Sequence, residues 1–191
     1  MRKGLLITTL VLLCGAVAVA QDSPKAEVAA GWNYLHIDEG SGGTQEGFPG
    51  GFFVDGTYYF AKIIGLTGDF EYNKKTFSAD TNFTAGDQAR ALSFHAGPRI
   101  KTRMGRFEPF AHALFGFTNA QFTPAAGTSV SDNAFSIKIG GGLDVALVPH
   151  IAVRLGEFNY YMTSFGHASA LSFNGQDHQN NFTFGVGVVL R

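Results

Sequence analysis

The sequence predicts an all-β chain, an eight-stranded antiparallel up-and-down barrel that crosses a membrane, preceded by a cleaved signal peptide. Three observations predict it. The first twenty residues form a charged-then-apolar leader. Apolar and polar residues alternate over eight later segments of about ten residues each. Charged residues make up only 15% of the 191, while Gly numbers 25 and Phe 19. An ordinary soluble domain carries roughly 25% charged residues. The length suits one domain, and so apolar a chain is not disordered. With 14 bases against 15 acids, no basic footprint for nucleic acid is present.

The leader opens on Met1-Arg2-Lys3, and residues 4–20 carry no charge. It closes on Ala18-Val19-Ala20, a small-x-small cleavage signal before Gln21-Asp22. A membrane-spanning helix needs about 20 predominantly apolar residues, and this stretch falls short and runs into a polar segment with Pro24. Residues 1–20 therefore read as a signal peptide and residues 21–191 as the barrel domain. Cys14 lies inside the leader, and Leu13 is too large for a lipoprotein cut before it. The mature chain has no cysteine and hence no disulfide. Losing Arg2 and Lys3 takes the 14 bases to 12 against 15 acids, a net charge of −3.

The strands follow in order. Val28, Ala30, Trp32 and Tyr34 oppose Glu27, Ala29, Gly31 and Asn33. Over 51–60, Phe52, Val54, Tyr58 and Phe60 oppose Asp55 and Thr57, with Phe53 and Tyr59 on the polar side, so the facing stays open. Ile64, Leu66, Phe70 and Tyr72 oppose Gly65, Thr67, Asp69, Glu71 and Asn73. Leu92, Phe94, Ala96, Pro98 and Ile100 oppose Ser93, His95, Gly97, Arg99 and Lys101. Over 107–118, Phe107, Ala111, Ala113, Phe115 and Phe117 oppose Glu108, His112 and Thr118, but Phe110 and Leu114 break the pattern. Phe135, Ile137, Ile139, Leu143 and Val145 oppose Ser136, Lys138, Gly140, Gly142 and Asp144. Ile151, Val153 and Leu155 oppose Ala152 and Arg154; the phase then slips, which a one-residue bulge at Gly156 would restore. Phe182, Phe184, Val186, Val188 and Leu190 close the series.

The gaps alternate in length. Those at 37–48, 76–88, 120–131 and 164–178 are long, while those at 61–63, 103–106 and 147–150 are short. This is a meander with elaborated loops on one side and tight turns on the other. The polar faces hold Gly, Ala and single charges, which suits an interior better than a surface in water. The apolar faces are aromatic at their ends: Trp32 and Tyr34, Tyr58 and Phe60, Phe70 and Tyr72, Phe115 and Phe117, Phe182 and Phe184. An outward apolar band with aromatic girdles and a polar lumen explains both. Ten residues at about 3.4 Å each, tilted by about 40°, span roughly 26 Å, the apolar height of an outer membrane.

On these residues the chain resembles the OmpA-like family of eight-stranded outer-membrane barrels. The carriers are Gly65-Leu66-Thr67-Gly68-Asp69-Phe70-Glu71-Tyr72, Gly97-Pro98-Arg99, Pro109-Phe110-Ala111-His112-Ala113-Leu114-Phe115-Gly116 and the stretch from Phe182 to Leu190. The resemblance implies a porin-like envelope protein of the bacterial outer membrane. Its partners would be the lipid bilayer, lipopolysaccharide and the barrel assembly machinery. Such barrels usually end on an aromatic residue, whereas this chain ends Leu190-Arg191. No periplasmic peptidoglycan-binding domain is expected after the barrel.

The inward charges are Glu27, Asp55, Asp69, Glu71, His95, Arg99, Lys101, Glu108, Lys138, Asp144, Arg154 and Glu157. Mixed signs on facing strands predict a salt-bridged plug, because an eight-stranded interior is just wide enough for side chains to fill. Within it, Asp69, Glu71, Arg99, Lys138, Asp144 and Arg154 are expected to form the network, Arg99 with Asp69 or Glu71 and Arg154 with Asp144. Six histidines without metal-ligand spacing imply no metal. Gly140-Gly141-Gly142 lacks the Lys-Ser/Thr of a phosphate loop, so no cofactor is expected. His167-Ala168-Ser169 resembles the His-x-Ser of lipid A deacylase barrels, but Ala170 stands where those enzymes carry Asn. A general base without its orienting carboxylate is poorly poised. The expected function is thus a non-enzymatic monomeric barrel for anchoring or loop-borne adhesion to an unidentified surface ligand. A lipid-acting enzyme and a small-solute pore are the alternatives.

Overall fold

Alternation with period two is what a strand with one apolar face requires, and each alternating segment forms one. The computed structural model describes residues 24–38, 45–79, 83–164 and 178–191. The leader, the stretch 39–44 and the stretch 165–177, with His167 and Ser169, lie outside the described residues. The strands are β1 (Ala26–Asp38), β2 (Gln45–Tyr59), β3 (Ile64–Thr76), β4 (Gln88–Lys101), β5 (Phe107–Thr123), β6 (Val130–Val148), β7 (Ile151–Ser164) and β8 (His178–Leu190). All neighbours run antiparallel, and β1 pairs with β8, from Val28 opposite Leu190 to Asp38 opposite Asn180, so the sheet closes. Closure leaves no edge strand with unpaired backbone groups.

The strands hold 13 to 19 residues rather than about ten. The extra length is polar and lies beyond the apolar band. On β5 and β6, Asn119 pairs with Asn133 and Gln121 with Ser131, and the Asn119 amide donates to Asn133 at 3.0 Å. The sequence expectation tracked only the apolar alternation and so stopped where the hydrocarbon stops.

Of three bulged sites among the described residues, at Pro49–Gly50, at Leu147 and at Leu155–Gly156, the first and last set the inward facing. On β2, Pro49 and Gly50 stand opposite Tyr34 alone, between the pairs Asn33–Gly51 and Leu35–Phe48. Pro49 has no N–H to give the ladder; its carbonyl instead accepts the Trp32 indole N–H at 2.6 Å. On β7 the register slips between Arg154 and Glu157, where Leu155 and Gly156 oppose Val186. The slip brings Arg154 and Glu157 to the same, inward face, three residues apart, with 2.5 Å between Nη1 and Oε2.

The usual distribution of residues is inverted. Leu66, Phe94, Phe117 and Phe158 are 58%, 59%, 66% and 66% exposed on the outside, while Lys138 and Arg99 are 0% and 1% exposed within. The unsettled facings resolve the same way: Phe53, Tyr59, Phe110 and Leu114 all point into the lumen. Room for Phe110 comes from Gly142, whose missing Cβ would lie 2.8 Å from the ring's Cζ.

At the end bearing the long loops, the β3–β4 and β5–β6 connections are braced together. Phe77 stacks on Phe83 at 3.9 Å between centroids, and both rings meet Phe122 on β5. Asp87 accepts from the Thr84 N–H with one carboxylate oxygen and from the Ala125 N–H with the other, each at 2.8 Å.

Candidate functional site

The lumen is the one place where the fold concentrates chemistry-bearing groups among the described residues, and parity puts them there. All twelve charges read as inward are buried. They form three tiers.

Nearest the short turns, Lys101 Nζ contacts Glu27 at 2.6 Å, Asp144 at 2.9 Å and Glu108 at 3.4 Å. Arg103 contacts the other oxygen of Glu27 at 3.0 Å and lies over the Tyr59 ring. The Tyr59 hydroxyl also donates to Glu27. The guanidinium of the final residue, Arg191, pairs with Glu108.

In the middle tier two arginines share one carboxylate. Arg99 reaches one oxygen of Asp55 at 2.8 Å and Arg154 the other at 2.6 Å. Arg154 also contacts Asp144 at 2.9 Å. The Phe110 ring lies between the two cations, 4.7 Å from Arg99 Cζ and 4.4 Å from Arg154 Cζ. Like charges this close repel, so the shared carboxylate and the negative ring face are what hold them together. Arg99 also donates to His112 Nδ1 at 3.2 Å, which fixes that nitrogen as an acceptor. His112 therefore carries its proton on Nε2, which donates to Asn159 Oδ1 at 2.8 Å.

In the upper tier Lys138 contacts Glu71 at 2.7 Å and Asp69 at 3.0 Å, with Glu157 at 4.0 Å. His95 Nδ1 stands 3.4 Å from Asp69, and its Nε2 bonds Ser136 at 2.9 Å. Above it, Ser93 bonds both Thr118 and Tyr161, which bond each other, and Tyr161 meets the His95 ring edge-on. An apolar group of Leu35, Phe48, Ala91 and Tyr161 lies over this tier.

Of the six residues expected to form the network, Arg154 and Asp144 meet each other, and Lys138 meets Asp69 and Glu71. The expected pairing of Arg99 with Asp69 or Glu71 does not form. Register is the reason: Arg99 faces Gly65, whereas Asp69 faces His95, four residues further along the strand. That is about 13 Å at a strand's rise. Asp55 takes the place expected for Asp69 because the strands tilt, bringing a residue two strands away to the height of Arg99. The tier around Lys101, Arg103 and Arg191 was not anticipated as a network; the inward parity of Glu27, Lys101 and Glu108 was the available signal.

The aromatic residues named for the girdle face outward. Trp32, Tyr58, Phe60, Phe115, Phe117 and Phe182 are exposed, and Tyr34, Phe70, Tyr72 and Phe184 are half-buried. Trp32, Phe70, Phe115 and Phe184 stand near mid-strand rather than at strand ends. Strands longer than ten residues move those four from the rim into the apolar band.

A family model described as the outer membrane protein beta-barrel domain matches residues 6–189. No curated protein matches the chain in sequence. Among solved structures, the attachment invasion locus protein Ail of Yersinia pestis is 19% identical, covers 86% of this chain and 97% of its own, and has a TM-score of 0.57. Ail has also been solved with the heparin analogue sucrose octasulfate. Neisserial surface protein A is 12% identical, with 89% and 99% coverage and a TM-score of 0.63.

Proposed function

Because this chain belongs to the outer membrane protein beta-barrel domain family, and is thus an integral barrel of the bacterial outer membrane, we propose that it is a non-enzymatic anchor presenting adhesive loops. The observation that carries this reading is the pairing inside the lumen. Each of the seven acids buried there, Glu27, Asp55, Asp69, Glu71, Glu108, Asp144 and Glu157, faces at least one Lys or Arg. Such an arrangement holds the walls together, and it fills the path a solute would take.

The leader of residues 1–20 is removed on export, and the barrel matures as a monomer through the assembly machinery. The outward aromatic residues, Tyr34 and Tyr58 among them, seat it at the two interfaces, and lipopolysaccharide surrounds it on the outer side. The long loops face outward and the short turns face the periplasm, the usual arrangement of such barrels. Ail, a structural relative named for attachment and solved with a sulfated sugar, supports choosing adhesion over a purely structural role.

The test is a binding screen of the folded barrel against host matrix proteins, sucrose octasulfate, lipopolysaccharide and peptidoglycan, run beside lipopolysaccharide deacylation and single-channel recordings. Saturable binding that is lost on loop exchange is expected. Acyl release would establish the lipid-acting enzyme instead, and steady conductance the pore.

A further inference from the structure

The outer wall carries a like-charge pair where the apolar band ends. On β3 the outward row runs Ile64, Leu66, Gly68, Phe70, Tyr72 and then Lys74; on β4 it runs Ile100, Pro98, Ala96, Phe94, Leu92 and then Arg90. Lys74 and Arg90 are direct cross-strand partners, and both are exposed. Directly opposite residues hold their Cβ atoms about 5 Å apart, and like charges there are destabilising. Among the described residues neither side chain makes an ion pair. Their outward neighbours are neutral: Thr76 and Gln88 one pair further out, Gln121 opposite Arg90, and Gly50 opposite Lys74. Among the described residues, the charges inside are paired and this pair outside is left uncompensated.

Position narrows the partner. Ten residues separate Ile64 from Lys74, which at about 3.4 Å each and a tilt near 40° is roughly 26 Å, the height of the apolar band. Both ammonium and guanidinium therefore sit at headgroup level, one pair beyond Tyr72 and Leu92, at the end bearing the long loops. An arginine offers a planar fork to phosphate and a lysine a mobile point charge. Gly50 leaves the wall beside Lys74 without a side chain, which is room for a bulky headgroup.

We propose that Lys74 and Arg90 clamp the phosphate of an anionic lipid headgroup in the outer leaflet. This rests on the orientation and the lipopolysaccharide contact proposed above, and it supplies the residues that make that contact. Bridging by one phosphate converts the repulsion between the two cations into shared attraction.

The test uses the folded barrel in zwitterionic micelles, titrated with diphosphorylated lipid A, with the same lipid stripped of phosphate, and with inorganic phosphate, the bound species being weighed by native mass spectrometry. K74Q/R90Q is compared with K62Q/R106Q, which removes two exposed cations at the short-turn end. The diphosphorylated lipid should bind K74Q/R90Q about tenfold or more weakly than wild type, since each cation contributes to attraction at an anionic surface. K62Q/R106Q should bind it as wild type does. Without lipid, K74Q/R90Q should be at least as stable as wild type, which also controls for folding. Wild-type affinity in K74Q/R90Q, equal affinity for the stripped lipid, or occupancy by inorganic phosphate alone at the same concentration would each overturn the clamp. Micelles report neither orientation nor loop ligands, so failure here leaves the anchor reading standing, and a failed loop screen leaves the clamp standing.

Discussion

Lys138 faces Asp69, Glu71 and Glu157 across the lumen while wholly buried. Removing it strands carboxylates where water is scarce, and breaking a buried pair from one side costs about 3–5 kcal/mol. Lys138→Met should lower the unfolding free energy by that order in urea titrations from lipid vesicles, followed by fluorescence of Trp32, the single tryptophan. Arg103, whose side chain is 18% exposed at the rim, should cost less on substitution by Gln, about 1.5 kcal/mol for a charged hydrogen bond, because Glu27 still faces Lys101. Equal losses would mean that water reaches Lys138 freely. That these charges are inside was legible in the sequence, because alternation fixes facing one strand at a time. Which acid meets which base was not: the Arg99–Asp55 contact joins residues 44 apart, and depends on tilt and register that no local pattern encodes.

For the strands, the informative positions are those where parity is broken or a side chain is missing. The slip at Leu155–Gly156 was legible from the phase change; the one at Pro49 was not, since Gly and Phe around it masked the alternation. Gly142 and Gly56 are both strand glycines, yet only the first is a close approach. A Cβ on Gly142 would meet the Gly156 carbonyl oxygen at 2.3 Å, whereas nothing lies within 4 Å of one on Gly56. Gly142→Val should therefore cost at least about 1–3 kcal/mol, the range for overpacking, or block folding, while Gly56→Val should leave the heat-modifiable gel band intact. The outer face gives a second comparison. Ile139 lies at the centre of β6 and is 53% exposed; Ile139→Arg should cost about 2–4 kcal/mol in vesicles, and Asn133→Arg, near the loop end of the same face, about 0–1 kcal/mol. Similar values at both positions would refute the assigned band.

For the molecule as a whole, closure and filling act together. With every strand paired on both sides, the backbone finds its hydrogen bonds within the sheet and not in the hydrocarbon, and the three tiers tie β1 through β7 across the lumen. Purified barrel should migrate faster on SDS gels before boiling than after, and planar bilayers containing it should show no steady conductance above the bare membrane. Orientation can be read on intact cells, because the mature chain lacks cysteine. A membrane-impermeant maleimide should label Thr128→Cys, an exposed position in the β5–β6 connection, and spare Lys62→Cys; the reverse would invert the barrel. Strand number, the alternation of long and short gaps and the apolar exterior were legible, being repeated along the chain; gap lengths were overread, the one expected at 120–131 narrowing to 124–129 because polar residues extend β5 and β6. The role of the loops was not, for their Gly, Ser and Asn content satisfies many shapes equally.

The brace of Phe77, Phe83, Phe122 and Asp87 bears on how such loops would recognise anything. It couples two connections that lie far apart in sequence, Asp87 reaching Ala125 across 38 residues. A ligand touching both would meet a preassembled surface and so escape much of the ordering entropy that flexible loops lose on association. Antibodies raised against one connection should accordingly lose affinity when Asp87→Ala frees the other, making the two a single conformational epitope.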